Sequence, residues 1–173
     1  MRVQNFAFIL IVVSLIMSCS ENTKTESGKV EYKEVTLVDI VDDVPPPPDD
    51  LSSKFKNVQE WLFTICDGNK PEKSIGTYEF GIFESSENNT MFLVGLNKYY
   101  KGDTSFTRIE FESSKMYFQL PEIEYKNLNR DELVKRLTTE LKDFTDTEKF
   151  KTSFLTNADS IVLVTNGQTI WSK

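Results

Sequence analysis

The chain has 173 residues, a net charge of −7 and no histidine. The lack of histidine excludes Ser-His-Asp and Cys-His catalytic groups and every histidine-ligated zinc or haem site, and we expect no metal and no cofactor. The negative charge argues against nucleic acid as a partner. Hydrophobic residues make up 39% of the chain, including 13 Phe, which is enough for a buried core.

The first 20 residues have the composition of an export signal. Arg2 is followed by an apolar run of about 12 residues, from Phe6 to Met17. This run fits the hydrophobic region of a signal peptide and is shorter than the roughly 20 residues that a membrane-spanning helix needs. We therefore predict a signal peptide over residues 1–18.

Residues 16–19, Ile-Met-Ser-Cys, end this apolar run and resemble the lipobox of bacterial lipoproteins. The resemblance implies cleavage before Cys19 and a diacylglycerol on its sulfur, which would hold the protein to a membrane. Ser20, where the family's inner-membrane members carry Asp, implies a cell-envelope location at the outer membrane. The alternatives are an ordinary signal peptide, or an uncleaved anchor, with a chance cysteine. If Cys19 is lipidated, Cys66 is a lone thiol, which we expect to be buried at the end of a helix.

Residues 19–50 are predicted to form a tether between the lipid and the folded domain. Residues 20–50 hold nine acidic residues and three lysines, and four consecutive prolines at 45–48 favour an extended polyproline II conformation. Residues 30–44 are rich in apolar side chains, so this part could add a strand to the domain or be offered as a strand to a partner. Both readings stay open.

Residues 39–48, followed by a helix and by a hairpin that starts at Gly76, are similar to the start of TonB-type C-terminal domains. Those domains have an acidic and hydrophobic segment, a proline turn, a helix and a β-hairpin. The paired glycines after the prolines are missing here, and four predicted strands precede the late helices. The resemblance implies an interaction domain.

The domain proper, residues 51–173, is predicted to begin with a helix and a set of strands. Apolar residues at spacings of three and four indicate a helix over Leu51–Cys66, with Asp50 as N-cap and Gly68 after its end. An antiparallel meander of about four strands is expected next. The strands are predicted at Ile75–Glu84, Thr90–Tyr100, Thr104–Glu112 with Ile109 and Phe111 inward, and Lys115–Leu120, with a turn at Ser113–Ser114 before the last.

The second half of the domain changes to a helical period. A helix is predicted over Asn129–Phe144, where Asn129 and Glu132 form a capping box. Thr145 and Glu148 repeat this signal and predict a second, short helix.

A C-terminal hairpin completes the predicted domain. Its strands are Asp159–Thr165 and Gln168–Trp171, around an Asn166-Gly167 pair that favours a type I′ turn. The expected fold class is α+β, an antiparallel sheet covered on one face by the N-terminal helix and one or two later helices.

Aromatic side chains on the predicted strands are candidates for a binding patch for a peptide or a glycan. The candidates are Tyr99, Tyr100, Tyr117, Phe118 and Trp171. Aromatic residues in strands more often pack in the core, which is the competing interpretation.

Two motifs could support catalysis, and each is more simply read as a chance match. Ser53 and Lys56 have the S-x-x-K spacing of serine acylases, without the partner motifs of that class. Glu122 and Glu124 would lie about 7 Å apart on one face of a strand, in reach of a glycosidic bond. We therefore expect a membrane-anchored, non-enzymatic binding or accessory module, acting on an envelope protein, a peptide or a glycan. The alternative is a small hydrolase that uses carboxylates or Ser and Lys.

Overall fold

The computed structural model describes residues 44–52, 54–85 and 88–173. The predictions for the signal peptide, for Cys19 and for residues 19–43 lie outside these residues, as does Ser53. No helix of the described part is both long and apolar enough to cross a membrane.

A five-stranded sheet organises the domain, with strand order β3-β2-β1-β4-β5. Strands β1 and β4 are parallel, and all other neighbours are antiparallel. A parallel pair needs a long crossover, which the helices between β3 and β4 provide. The strands are β1 (Thr77–Phe83), β2 (Thr90–Lys101), β3 (Thr104–Gln119), β4 (Ser160–Leu163) and β5 (Gln168–Ser172).

Within the described ranges, four α-helices accompany the sheet, and the predicted α+β class is confirmed. They are α1 (Val58–Cys66), α2 (Glu122–Tyr125), α3 (Arg130–Thr145) and α4 (Glu148–Lys151). The capping box of α3 is present as predicted, because Asn129 and Glu132 exchange side-chain and backbone hydrogen bonds. The N-cap of α4 is Thr147, not Thr145, which is still the last residue of α3.

Helix α1 begins later than predicted. Its N-cap is Asn57, whose side chain accepts a hydrogen bond from the Glu60 amide at 2.9 Å, and Asp50 plays no part. An Asn in extended conformation is a strong start signal, so the chain before it stays irregular. Phe55 nevertheless packs edge-on against Phe118, which explains the helix-like apolar spacing of that segment.

Cys66 ends α1, as expected, but it is half-buried against the core and not fully enclosed. Burial raises the pKa of its thiol, and a hydrogen bond with Ser153 opposes this shift.

The predicted third and fourth strands are a single strand, β3, and the turn at Ser113–Ser114 is wrong. On β2, Phe92 pairs with Tyr117 and Val94 with Glu112, so residues 113–116 lie opposite Leu93 alone. The polar serines therefore lie in a large, irregular bulge of four residues against one. The indole of Trp61, which is fully buried, donates to the Lys115 carbonyl at 2.6 Å and satisfies the backbone of this bulge.

A second irregularity in β3 separates Ile109 and Phe111, which were predicted to face the same way. Gly95 pairs with Phe111 and Leu96 with Ile109, so Glu110 is an extra residue. Phe111 consequently joins the helix-covered core, while Ile109 packs on the opposite face.

The sheet buries apolar side chains on both faces. The main core lies between the sheet and the helices and contains Trp61, Phe80 and Leu137, each at most 1% exposed. On the opposite face, which we call the second face, a smaller cluster is formed by Val44, Phe92, Val94, Leu96 and Met116. The ring of Phe92 lies over Gly81, where an added Cβ would be 2.1 Å from it, so this close approach requires glycine.

The C-terminal hairpin is present, but its turn differs from the predicted type I′. Residues Val164–Asn166 form a 3₁₀ turn, and only Gly167 of the Asn-Gly pair has a positive φ, of 66°. The connection is thus a four-residue loop between β4 and β5, of the kind built around a single left-handed glycine.

Candidate functional site

Strands β2 and β3 extend beyond the rest of the sheet as a two-stranded ribbon. Strand β1 pairs with β2 only as far as Thr77 and Leu96, and β3 is an edge strand. Residues 97–108, which we call the aromatic arm, therefore have no strand neighbour among the described residues. At about 3.3 Å per residue the arm projects roughly 17 Å, and it closes in a turn at Gly102, whose φ is 61°.

Exposed aromatic side chains concentrate on this arm. Tyr99 and Phe106 stack with ring centroids 5.6 Å apart. Tyr100 is 74% exposed and has the Lys98 ammonium 5.6 Å from its ring centroid, and Phe106 is 44% exposed. Ile123, on α2, is the one other large hydrophobic residue exposed to this degree in the described ranges. Exposed apolar groups gathered on one element indicate an interaction surface.

The base of the aromatic arm is held in place by polar contacts. Asn97 accepts a hydrogen bond from the Gly76 amide at 2.7 Å and donates to the Ser74 carbonyl at 2.8 Å. The Tyr99 hydroxyl donates to Glu110 at 2.8 Å, and Lys73 lies 2.6 Å from the same carboxylate. Hydrogen bonds from Lys73 and Tyr99 lower the pKa of Glu110. These contacts fix the orientation of the ribbon at its base, and none of them involves Tyr100 or Phe106.

The aromatic arm is basic in an acidic chain. It carries Lys98, Lys101 and Arg108 against the single acid Asp103. None of the three cations forms a salt bridge within the described ranges. The arm therefore combines exposed aromatic rings with a net positive charge.

The structure places two of the five aromatic candidates on the arm and the other three elsewhere. Tyr99 and Tyr100 are both on the arm, but as consecutive residues of a strand they point to opposite faces of the ribbon. Tyr117 lies on the second face, where its hydroxyl donates to the Pro45 carbonyl. Phe118 is fully buried and stacks on Trp61. Trp171, on β5 at the far edge of the sheet, packs against Phe150.

Phe106 is an arm residue that the sequence reasoning missed. It lies directly across from Tyr99 in the register of β2 and β3. Cross-strand aromatic pairs of this kind stabilise hairpins. The sequence signal for this pair was the distance of Phe106 from the Gly102 turn, which is similar to that of Tyr99 and Tyr100 on the other strand.

The candidate catalytic residues do not form a catalytic arrangement. Glu122 and Glu124 lie on the short helix α2 and not on a strand. Residues two positions apart in a helix do not face each other, so the two carboxylates point to different sides. Glu122 pairs with Lys126, and Glu124 with Arg136. Lys56 precedes α1, so it does not lie on the first helical turn that the S-x-x-K reading needed.

Glu79 is the most perturbed acid of the described residues. It lies on β1 in the centre of the sheet, across from Val94 on β2 and Val162 on β4. Its side chain forms no salt bridge or hydrogen bond with another described residue, and burial raises its pKa to about 7. Among the described residues, no second acid and no lysine forms a hydrogen bond or salt bridge with it. Within the described ranges, no group of three or more Cys, Asp or Glu could hold a metal ion.

Comparisons with known proteins add no family. No protein-family model, no curated protein and no solved structure matches the chain.

Proposed function

We propose that this protein is a membrane-anchored lipoprotein of the bacterial cell envelope whose α+β domain is a non-enzymatic binding module. The aromatic arm is its binding surface. The observation that carries this proposal is the concentration of exposed aromatic residues, Tyr100 and Phe106, on a ribbon that projects from the sheet. Lipidation of Cys19, inferred from residues 16–19, supplies the anchor.

The partner is a protein with an acidic surface. Lys98, Lys101 and Arg108 would attract such a surface, and the rings of Tyr100 and Phe106 would supply apolar contacts on the two opposite faces of the ribbon, to a partner that encloses the arm. Insertion of the arm into a lipid bilayer is disfavoured, because its tip, residues 101–104, is Lys-Gly-Asp-Thr and would have to leave water first.

Site-specific photo-cross-linking in the cell envelope tests the arm. A photoreactive phenylalanine at position 100 or 106 of the full-length chain should trap one discrete protein. The same probe at position 123 should not, although Ile123 is 98% exposed. Equal trapping at all three positions, or none at 100 and 106, would contradict the proposal.

The purified partner then tests the chemistry of the contact. Its affinity should fall about tenfold or more when Tyr100 and Phe106 are both changed to Ser, because aromatic anchors carry much of the energy of an interface. It should also weaken with salt and with Lys98→Gln/Lys101→Gln/Arg108→Gln. Ile123→Ser is the matched control and should leave the affinity unchanged.

Replacement of Cys19 tests the anchor independently. Cys19→Ala should move the protein from the membrane fraction to the soluble fraction, because no acyl chain can be attached. Intact mass spectrometry of the wild-type protein should show a lipid-sized increase over the chain from Cys19 onward. A wild-type mass without lipid would disprove the anchor and leave the arm experiment valid.

A further inference from the structure

An open groove runs between helix α3 and the β4–β5 loop, and none of its lining residues belongs to the aromatic arm. Its volume is about 610 Å³, and Val134 is the one apolar side chain among its lining residues. The rest of the lining is charged, hydroxylated or amide-bearing. A groove of this composition suits a ligand that is recognised by charge and hydrogen bonds.

Two lysines of α3 provide free positive charge along the groove. Lys135 and Lys142 form no salt bridge in the described part of the chain, whereas Arg130 is paired with Glu84 at 3.0 Å and Asp131 adds one negative charge. Seven residues of helix separate the two lysines by two turns, about 10.5 Å along the axis. Two separate anionic groups of one extended ligand can therefore contact them.

The groove is also lined by polar side chains whose hydrogen bonds with one another are long. The Thr138 hydroxyl is 3.4 Å from Gln168 Oε1, and Asn166 Nδ2 is 3.3 Å from the same atom. Bonds of this length are weak and leave capacity for a ligand. The backbone amide of Gln168 donates to Asn166 Oδ1, but its side-chain nitrogen, Nε2, has no hydrogen-bond partner among the described residues and can donate to a ligand hydroxyl.

We propose that this groove binds an oligosaccharide that carries carboxylate groups. Lys135 and Lys142 bind the carboxylates, and Thr138, Asn166 and Gln168 bind the sugar hydroxyls. An acidic polypeptide fits less well, because the groove lacks the apolar or aromatic pockets that anchor peptides. The proposal goes beyond the function assigned to the aromatic arm and does not depend on it.

Calorimetric titration of the full-length chain in detergent tests the groove. The probe is a short oligogalacturonate, and its fully methyl-esterified form is the neutral counterpart. The acidic sugar should bind, and the neutral one should bind at least about tenfold more weakly, because the charge contacts are lost. Lys135→Gln/Lys142→Gln should cause a similar loss, while Lys54→Gln/Lys70→Gln, with the same change in charge, should not.

A second variant and two further probes separate this proposal from other anions. Gln168→Leu should weaken the binding of the oligosaccharide without lowering the thermal unfolding midpoint of the protein. It should not change the binding of inorganic phosphate. The proposal is overturned if inorganic phosphate, or an acidic peptide with the sequence of residues 39–50, binds as tightly as the sugar. It is also overturned if no probe binds, or if the control lysine variant loses binding equally.

Discussion

Among the described carboxylic acids, Glu79 is the one whose pKa is shifted furthest from its ordinary value. The carboxyl group lies between Val94 and Val162 on the second face, and burial raises its pKa to about 7. The folded protein therefore binds this proton more tightly than the unfolded chain, whose reference pKa is 4.5. Stability from this group is present below pH 4.5 and decreases as the pH rises to about 7.

Glu79→Gln should therefore stabilise the protein above pH 7. The gain should be on the order of 1 kcal/mol, after allowance for solvent screening of a half-buried group, and it should be smaller at pH 5. Urea unfolding at pH 5 and pH 8 measures it. Glu112→Gln, which removes an exposed acid on the same sheet face, is the control, and an equal gain there would show that net charge is responsible.

At the scale of elements, β3 shows how a bulge takes the place of a turn. A turn at Ser113–Ser114 would end the strand, yet the chain continues past residues 113–116 and pairs again at Tyr117. The Trp61 indole reaches the Lys115 carbonyl from α1 and joins the helix to the bulge. The irregularity is thus supported by a contact 54 residues distant in sequence.

Trp61→Phe should destabilise the domain by about 1–3 kcal/mol, because it leaves the Lys115 carbonyl without its donor and reduces core packing. Chemical denaturation measures the loss. Trp171→Phe is the matched control, since the Trp171 indole is half-buried and donates no hydrogen bond in the described part. A loss of equal size in the two variants would contradict a special role for the Trp61 bond.

At the scale of the whole molecule, the folded domain begins before residue 51, where the sequence predicted its start. Val44 is 4% exposed and packs with Phe92 and Met116, and the Pro45 carbonyl accepts a hydrogen bond from Tyr117. The proline run therefore starts at a fixed point on the second face.

Val44→Asp should detach this point, because a carboxylate cannot be buried without a partner. We expect a loss of about 2–3 kcal/mol in unfolding free energy and faster proteolysis near residues 44–50. Denaturation and limited proteolysis followed by mass spectrometry measure both effects. Asp49→Ala, at an exposed position of the same segment, should change neither, and protease resistance equal to wild type in Val44→Asp would refute the attachment.

The sequence by itself determined the elements whose signals are local. The α+β class, the capping box at Asn129, the end of α1 at Cys66 and the C-terminal hairpin all follow from side-chain period, caps and turn residues within a few positions of each other. Tyr99 and Tyr100 were likewise selected from one strand.

Only the tertiary structure decided features that depend on distant partners. The place of β4 beside β1, the continuity of β3 through its bulge and the burial of Phe118 depend on contacts across the fold. The same holds for the aromatic arm, because residues 97–108 become a projecting ribbon only where β1 stops pairing. The alternation of apolar and polar residues predicts which side chains of a strand share a face. Whether that face is buried or exposed depends on the elements that pack beside the strand.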